Sequence, residues 1–324
     1  MAQAGPSNRS NMNGETILIR EVGPRDGLQN EAVPINTRQK QLLIDGLVAA
    51  GLTSIEVTSF VNPHLVPQMG DSTELMTRIL ARYHDRPDLH FSALVLNERG
   101  YNYALAAGTR AIATLVFTSE TMSRRNSNVS RDGALERCAK LVSRARHDGV
   151  WLRVYIGTAW VCPYEGPIAP EVTLDLAERI WALGVDELSI ADTVGHAQPL
   201  EVGQLMKELV TRFGRKKLAV HLHDTQALGL VNAAAAIHAG VRIFDASIGG
   251  LGGCPFAPGA AGNLATEDLA FMADRMGFET GIDLSKLWQA VQAARGMVER
   301  PLGGRIWPWW ESHSRPAATL PGLT

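Results

Sequence analysis

The chain has 324 residues, of which 45% are hydrophobic and 20% charged, with 31 Gly and 16 Pro. That is the balance of an ordinary globular protein with a sizeable core, and it excludes low-complexity chains. Lys and Arg number 31 against 33 Asp and Glu, a net charge of −2, so no basic excess directs the chain to nucleic acid or to an anionic membrane. Three cysteines, Cys138, Cys162 and Cys254, are too few and too dispersed for a disulfide framework or a zinc knuckle. They fit a reducing, cytoplasmic compartment.

Residues 1–14 are polar and rich in Asn, Ser and Gly and read as a disordered leader. They carry neither the apolar run of a signal peptide nor the Arg-rich amphipathic pattern of mitochondrial import. No later stretch reaches the ~18 consecutive apolar residues of a membrane-spanning helix, and the last residues are no peroxisomal address. From Thr16 a rhythm sets in: a short apolar run, a loop, an amphipathic segment, then another run. The runs are Thr16–Val22, Ser54–Thr58, His90–Leu96, Arg110–Phe117, Val150–Gly157, Glu187–Ala191, Lys217–His221 and Val241–Ser247. Between them, Asn36 and Thr37 can cap a helix with apolar Leu42, Leu43, Leu47 and Ala50 that stops at Gly51. Pro170 opens another, with Leu176, Ile180 and Leu183, before Gly184. Eight strands alternating with helices predict an α/β fold, a (β/α)8 TIM barrel over residues 15–281. The open doubly wound sheet is the rival, but the GxGxxG turn it needs after the first strand is missing. Residues 282–324 follow as a helix capped by Asp283 and a Trp-rich tail packed on the barrel. Trp307, Trp309 and Trp310 there suit packing on the body, on a sister subunit, or a lid.

Barrel chemistry gathers where strands end and βα loops begin. His221 and His223, two apart at the end of the seventh strand, would face the same side and could chelate a divalent metal. Other polar residues gather at the same rim. Arg25, Asp26 and Gln29 follow the first strand, and Glu56 sits in the second between Ile55 and Val57. A carboxylate there needs a partner, and Arg25 is the candidate. Asp192 closes the sixth strand, while Gly249–Cys254 and Asn263 follow the eighth. Each has an ordinary reading: a turn former for Asp26, a structural ion pair for Glu56, a helix cap for Asn263. Their convergence at one end of different strands favours a site. One carboxylate, two imidazoles and an amide oxygen suit Mg²⁺ or Mn²⁺, and Zn²⁺ also binds such sets. Cys254, on its glycine-rich loop, could donate a proton or act as a nucleophile.

At these residues the chain resembles the hydroxymethylglutaryl-CoA lyases of the DRE-type barrel metallolyases. GPRDGLQNE at 23–31, IEVTSFVNP at 55–63, VPQMGD at 66–71, CPYEG at 162–166, HLHDT at 221–225 and GLGGCPFAPGAAGNLATED at 250–268 carry the match. The resemblance implies a metal-dependent carbon–carbon lyase that cleaves 3-hydroxy-3-methylglutaryl-CoA to acetyl-CoA and acetoacetate, as in leucine degradation, and a homodimer. It makes Asp26, His221, His223 and Asn263 the metal ligands, with Mg²⁺ or Mn²⁺ as cofactor. Arg25 becomes the residue that polarises the thioester carbonyl, and Cys254 the catalytic cysteine. Glu56 and Asp192 are acidic residues that hold the site, with a proton-handling role open to Asp192, and Gln29 lies near metal and substrate. The general base stays open between Asp26, His221, Asp192 and a bound water. Gln226 and Ala227 stand where the family usually carries an aromatic or basic residue followed by Gly, and Trp160 stands where smaller residues are usual. These departures leave room for another 3-hydroxyacyl-CoA. A Claisen-type acyl-CoA/oxoacid synthase shares barrel and metal but usually carries a long extension after the barrel.

Overall fold

The computed structural model describes residues 14–253 and 262–314. All eight apolar runs form strands: β1 (Leu18–Glu21), β2 (Ser54–Ser59), β3 (His90–Leu94), β4 (Ala111–Phe117), β5 (Trp151–Gly157), β6 (Glu187–Asp192), β7 (Leu218–Leu222) and β8 (Ile243–Ala246). Each pairs in parallel with its chain neighbours, and β8 returns to β1 in the register Leu18–Ile243 to Glu21–Ala246. The barrel is therefore closed and has no exposed edge.

The helices lie between the strands: α1 (Thr37–Ala49), α2 (Ser72–Arg82), α3 (Glu98–Ala106), α4 (Glu120–Ser127) and α5 (Arg131–Asp148), α6 (Pro170–Ala182), α7 (Pro199–Phe213), α8 (Gly229–His238) and α9 (Thr266–Arg275). Local sequence sets their ends. Asn36 and Gln39 form a reciprocal capping box on α1, and Gly51 ends that segment at φ +96, close against the carbonyl of Gly281. The face of α1 turned to the barrel is Leu43, Ile44 and Leu47, whereas Leu42 is 53% exposed. At 100° per residue Ile44 belongs to the stripe of Leu43 and Leu47, and Leu42 falls off its edge. Each of the three buried side chains contributes about 1.5–3 kcal/mol of transfer free energy as an upper bound.

Beyond α9, α10 (Leu284–Val298) starts at Asp283, whose carboxylate accepts from the amides of Ser285 and Lys286, and lies against α1 where Gly46 faces Ala290. Trp288 of α10 stacks on Trp307 at 3.6 Å, seating α11 (Trp307–Ser314) on the body of its own chain.

The barrel interior is ionic rather than filled with the branched apolar layers usual for this architecture. Arg20 of β1 grips Glu187 of β6 with two bonds of 3.1 and 2.7 Å. Arg153 of β5 lies 3.1 Å from Glu187 and donates to Asp245 of β8 at 2.9 and 3.3 Å. All four side chains are almost fully buried, which is tolerable only because each charge meets an opposite one. From Asp245 the ladder continues to His221 near the carboxyl ends of the strands.

Candidate active site

The loop after β1 makes one wide turn of π-helical type over Gly23–Gly27, in which Gly27 and Leu28 donate to the carbonyls of Val22 and Gly23 at 3.3 and 2.9 Å. Such turns re-aim side chains and recur at functional sites. Here the turn buries Arg25 and leaves Asp26 half-buried. It also presses on the loop after β8: a Cβ on Gly27 would lie 2.8 Å from that of Leu251.

Arg25 ion-pairs through Nε with Glu56 of β2 and through Nη1 with Asp26 at 2.7 Å. Tyr155 of β5 donates to the other oxygen of Glu56 at 3.1 Å, and its ring lies under the Arg25 guanidinium. Burial works against the charge on Arg25, but Glu56 and Asp26 outweigh it and raise its pKa further. The guanidinium is thus a fixed, desolvated positive charge at the rim.

β7 ends at Leu222, and His223 continues into an isolated bridge with Asn263, which ties the loop after β7 to the loop after β8. The two imidazoles face each other with Nε2 atoms 3.2 Å apart, and Asp26 Oδ2 lies 3.9 Å from His221 Nε2. Asp26, His221 and His223 each offer one ligand atom within 4.8 Å of the others. Asn263 Nδ2 donates to Asp26 at 2.8 Å, while its Oδ1 is buried without a partner. Asn263 is not the cap of the helix that follows; α9 begins after Ala265.

This donor set fits a divalent cation. Burial would raise the pKa of Asp26, but Arg25 and the two histidines hold it at about 2, so it is an anion. Burial and His221 hold His223 near 4, a neutral ring with a free lone pair. Two nitrogens on adjacent corners of an octahedral ion with bonds of ~2.1 Å stand roughly 3 Å apart, close to the observed spacing. His221 Nδ1 donates to Asp245 at 3.3 Å, which turns Nε2 towards the cluster, as carboxylate partners do for metal-bound imidazoles.

Asp192 is buried at the end of β6, but its oxygens accept from the amides of His196 and Ala197 at 3.1 Å each. It holds the loop after β6 and is not drawn into the donor cluster of Asp26, His221 and His223. Burial pushes its pKa to about 6 against the pull of those amides. Gln29 is half-buried and continues the Arg25 turn, its amide donating to the Arg25 carbonyl at 3.0 Å. Cys254 lies outside the described residues. Trp160 is buried and lines a groove with Leu174 and His196. Ala227 sits at φ +62, a left-handed position that costs an alanine about 1 kcal/mol relative to glycine.

The sequence reading did not single out Asp245 and Tyr155. Both are polar interruptions of apolar strand runs, the signal that drew notice to Glu56.

A family model described as HMGL-like matches residues 16–293. The cytoplasmic 3-hydroxy-3-methylglutaryl-CoA lyase of Rattus norvegicus is 41% identical over 276 residues, 85% of this chain and 79% of that protein. The crystal structure of the Bacillus subtilis HMG-CoA lyase superposes with a TM-score of 0.87 at 37% identity, covering 92% of this chain and 98% of that one. The hydroxymethylglutaryl-CoA lyase of Pseudomonas aeruginosa gives 0.88 at 36% identity, over 93% and 99%.

Proposed function

This chain is a lyase that belongs to the HMGL-like family, and on that premise we propose that it cleaves 3-hydroxy-3-methylglutaryl-CoA to acetyl-CoA and acetoacetate with the help of Mg²⁺ or Mn²⁺. The observation that carries the reading is the convergence of an anionic Asp26 and the facing rings of His221 and His223 beside the buried Arg25.

Asp26, His221, His223 and Asn263 would hold the ion. Bound there, it supplies Lewis-acid charge that lowers the pKa of the substrate's tertiary alcohol. The hydroxyl proton passes to the general base, one of Asp26, His221, Asp192 and a bound water, and the bond between the hydroxyl-bearing carbon and the carbon next to the thioester then breaks. Its electron pair moves into the thioester as an enolate, and the alkoxide becomes the ketone of acetoacetate. Arg25, immobilised by Glu56 and Tyr155, places positive charge where the enolate oxygen develops, an effect of about 3–4 kcal/mol for a preorganised donor. Cys254 gives its thiol proton to the enolate carbon, completing acetyl-CoA. Asp192 acts by holding the loop after β6, and Gln29 by contacting substrate from the Arg25 turn.

The same reading makes the working form a cytoplasmic homodimer. Among the described residues no helix is long and apolar enough to cross a membrane.

A coupled assay for both products tests this, with Mg²⁺, with Mn²⁺ and after chelation. Metal-dependent release of acetyl-CoA and acetoacetate is the expected result. A bound divalent ion without turnover would move the substrate to another 3-hydroxyacyl-CoA, with Trp160, Gln226 and Ala227 as the first places to look.

A further inference from the structure

The segment after α10 touches three loops at the mouth of the barrel, those after β1, β7 and β8. Arg300 pairs with Glu31, five residues beyond Asp26, with one bond of 3.1 Å. Leu302 is buried against Gly249, where a Cβ would lie 2.5 Å from Leu302 Cγ, and the Gly303 amide donates to the Gly249 carbonyl at 3.2 Å. Gly249 is at the described foot of the glycine-rich loop, and its own amide donates to Glu267 at 3.0 Å. The other oxygen of Glu267 accepts from the Gly304 amide at 2.6 Å, and Asp268 accepts from the amides of Arg305 and Ile306 at 2.7 and 2.9 Å. Arg305 reaches back to Asp224, the residue after His223, through Nε at 2.9 Å and Nη2 at 2.8 Å.

This is an unusual investment for a tail. Glu267 and Asp268 are buried at the start of α9, and between them they accept three bonds from backbone amides of residues 304–306. Gly304 is needed for that docking, because a Cβ would come within 2.3 Å of Asp268 Oδ1. The segment also lies beyond residue 293, where the family match ends.

We propose that Arg300–Ile306 is a strap that sets the geometry of the catalytic mouth, with Arg305 as a positioning residue that pins the loop after His223 to the foot of the glycine-rich loop. The proposal rests on the lyase reading for its activity readout, but not for its structural one. No atom of the strap needs to meet the substrate. Docking fixes the relative placement of Glu31, Asp224 and Gly249, and through them the turns that carry Asp26, His223 and the foot of the Cys254 loop. Misplacement by about 1 Å of groups that must act together is enough to cost orders of magnitude in rate.

The test compares wild type with Gly304→Ala, Arg305→Ala and Arg305→Lys, by steady-state kinetics on 3-hydroxy-3-methylglutaryl-CoA and by amide hydrogen exchange. Gly304→Ala is expected to lower kcat at least ~tenfold with KM within about twofold, and to speed exchange across Ile248–Leu251. Arg305→Ala should lower kcat about two- to fivefold, as fits an exposed pair, and Arg305→Lys should restore most of it. Combined with Asp224→Asn, Arg305→Ala should add nothing further. Unchanged exchange at Ile248–Leu251 in Gly304→Ala would overturn the strap, as would a raised KM with unchanged kcat in Arg305→Ala, which would make Arg305 a substrate contact. Wild-type protein that releases no product from 3-hydroxy-3-methylglutaryl-CoA would instead move the substrate to another 3-hydroxyacyl-CoA, and the exchange data would still judge the strap.

Discussion

Replacing Asp245 by Asn tests how far the ionic ladder supports the donor cluster. Asp245 is 1% exposed and accepts from Arg153 at 2.9 and 3.3 Å, from Ser189 at 3.1 Å and from His221 Nδ1 at 3.3 Å. Asparagine keeps the volume but removes the charge, and it presents an NH₂ group to one of these donors. Two effects should separate. The apo protein should lose about 3 kcal/mol, the lower end for breaking a buried pair, because Arg153 keeps Glu187 at 3.1 Å. Mn²⁺ affinity should fall about 10- to 100-fold, the usual result of removing the carboxylate behind a ligating histidine. That is about 1.4–2.8 kcal/mol. Urea unfolding of the apo protein reads the first, and Mn²⁺ titration followed by electron paramagnetic resonance reads the second. A Mn²⁺ affinity within twofold of wild type would refute the idea that Asp245 orients His221 towards a metal.

Arg25→Gln should lower turnover by about 10²–10³ while circular dichroism stays that of a barrel; near-normal turnover would remove Arg25 from the chemistry. Cys254→Ser should slow product release with Mn²⁺ affinity little changed, and a collapse of metal binding would recast Cys254 as a ligand. The stability contributed by Glu21 and Glu267 should fall as the pH rises from about 4.5 to about 7, against an opposite contribution from His90 and His223, which burial holds near 4. Glu21 and Glu267 are both raised from 4.5 to about 7, by burial first and then by acidic neighbours (Glu267 beside Glu21, Asp268 beside Glu267), against the Thr266 hydroxyl that donates to Glu21 and the backbone amides that donate to both. At these two sites the native state therefore binds more protons than the unfolded chain across that window, and each carboxyl favours folding only while protonated. Thermal melts between pH 5 and 7 should show Glu267→Gln gaining stability relative to wild type as the pH rises, and a difference that does not change with pH would count against this assignment.

The barrel could be read from the chain because its signal is repeated and local. Eight apolar runs, each bounded by polar loops, left one closed architecture, and strand ends shifted by only one to a few residues. Asp26, His221 and His223 could be picked out because each stands at a strand end, where barrels place their chemistry. Asp245 escaped notice because one carboxylate inside an apolar run says that a partner exists, not that it is an imidazole from the preceding strand. The strap had no local signature at all. Gly304, Arg305 and Ile306 act through backbone amides on carboxylates 37 or 38 residues earlier, and Leu42 shows that even a helix face can be misjudged at its margin.

The ionic interior also bears on how this barrel can assemble. Arg20 meets Glu187 across 167 residues of chain, and Arg153 meets Asp245 across 92. A growing barrel that lacks β8 holds a buried Arg153 with half its compensation, and one that lacks β6 leaves Arg20 with none from Glu187. Partial barrels thus lie well above the finished one in free energy, so closure of the last strand is rewarded by satisfied charge as well as by area. Half-barrel fragments of this chain should then be poor folding units, and the ring should form and melt as one cooperative body.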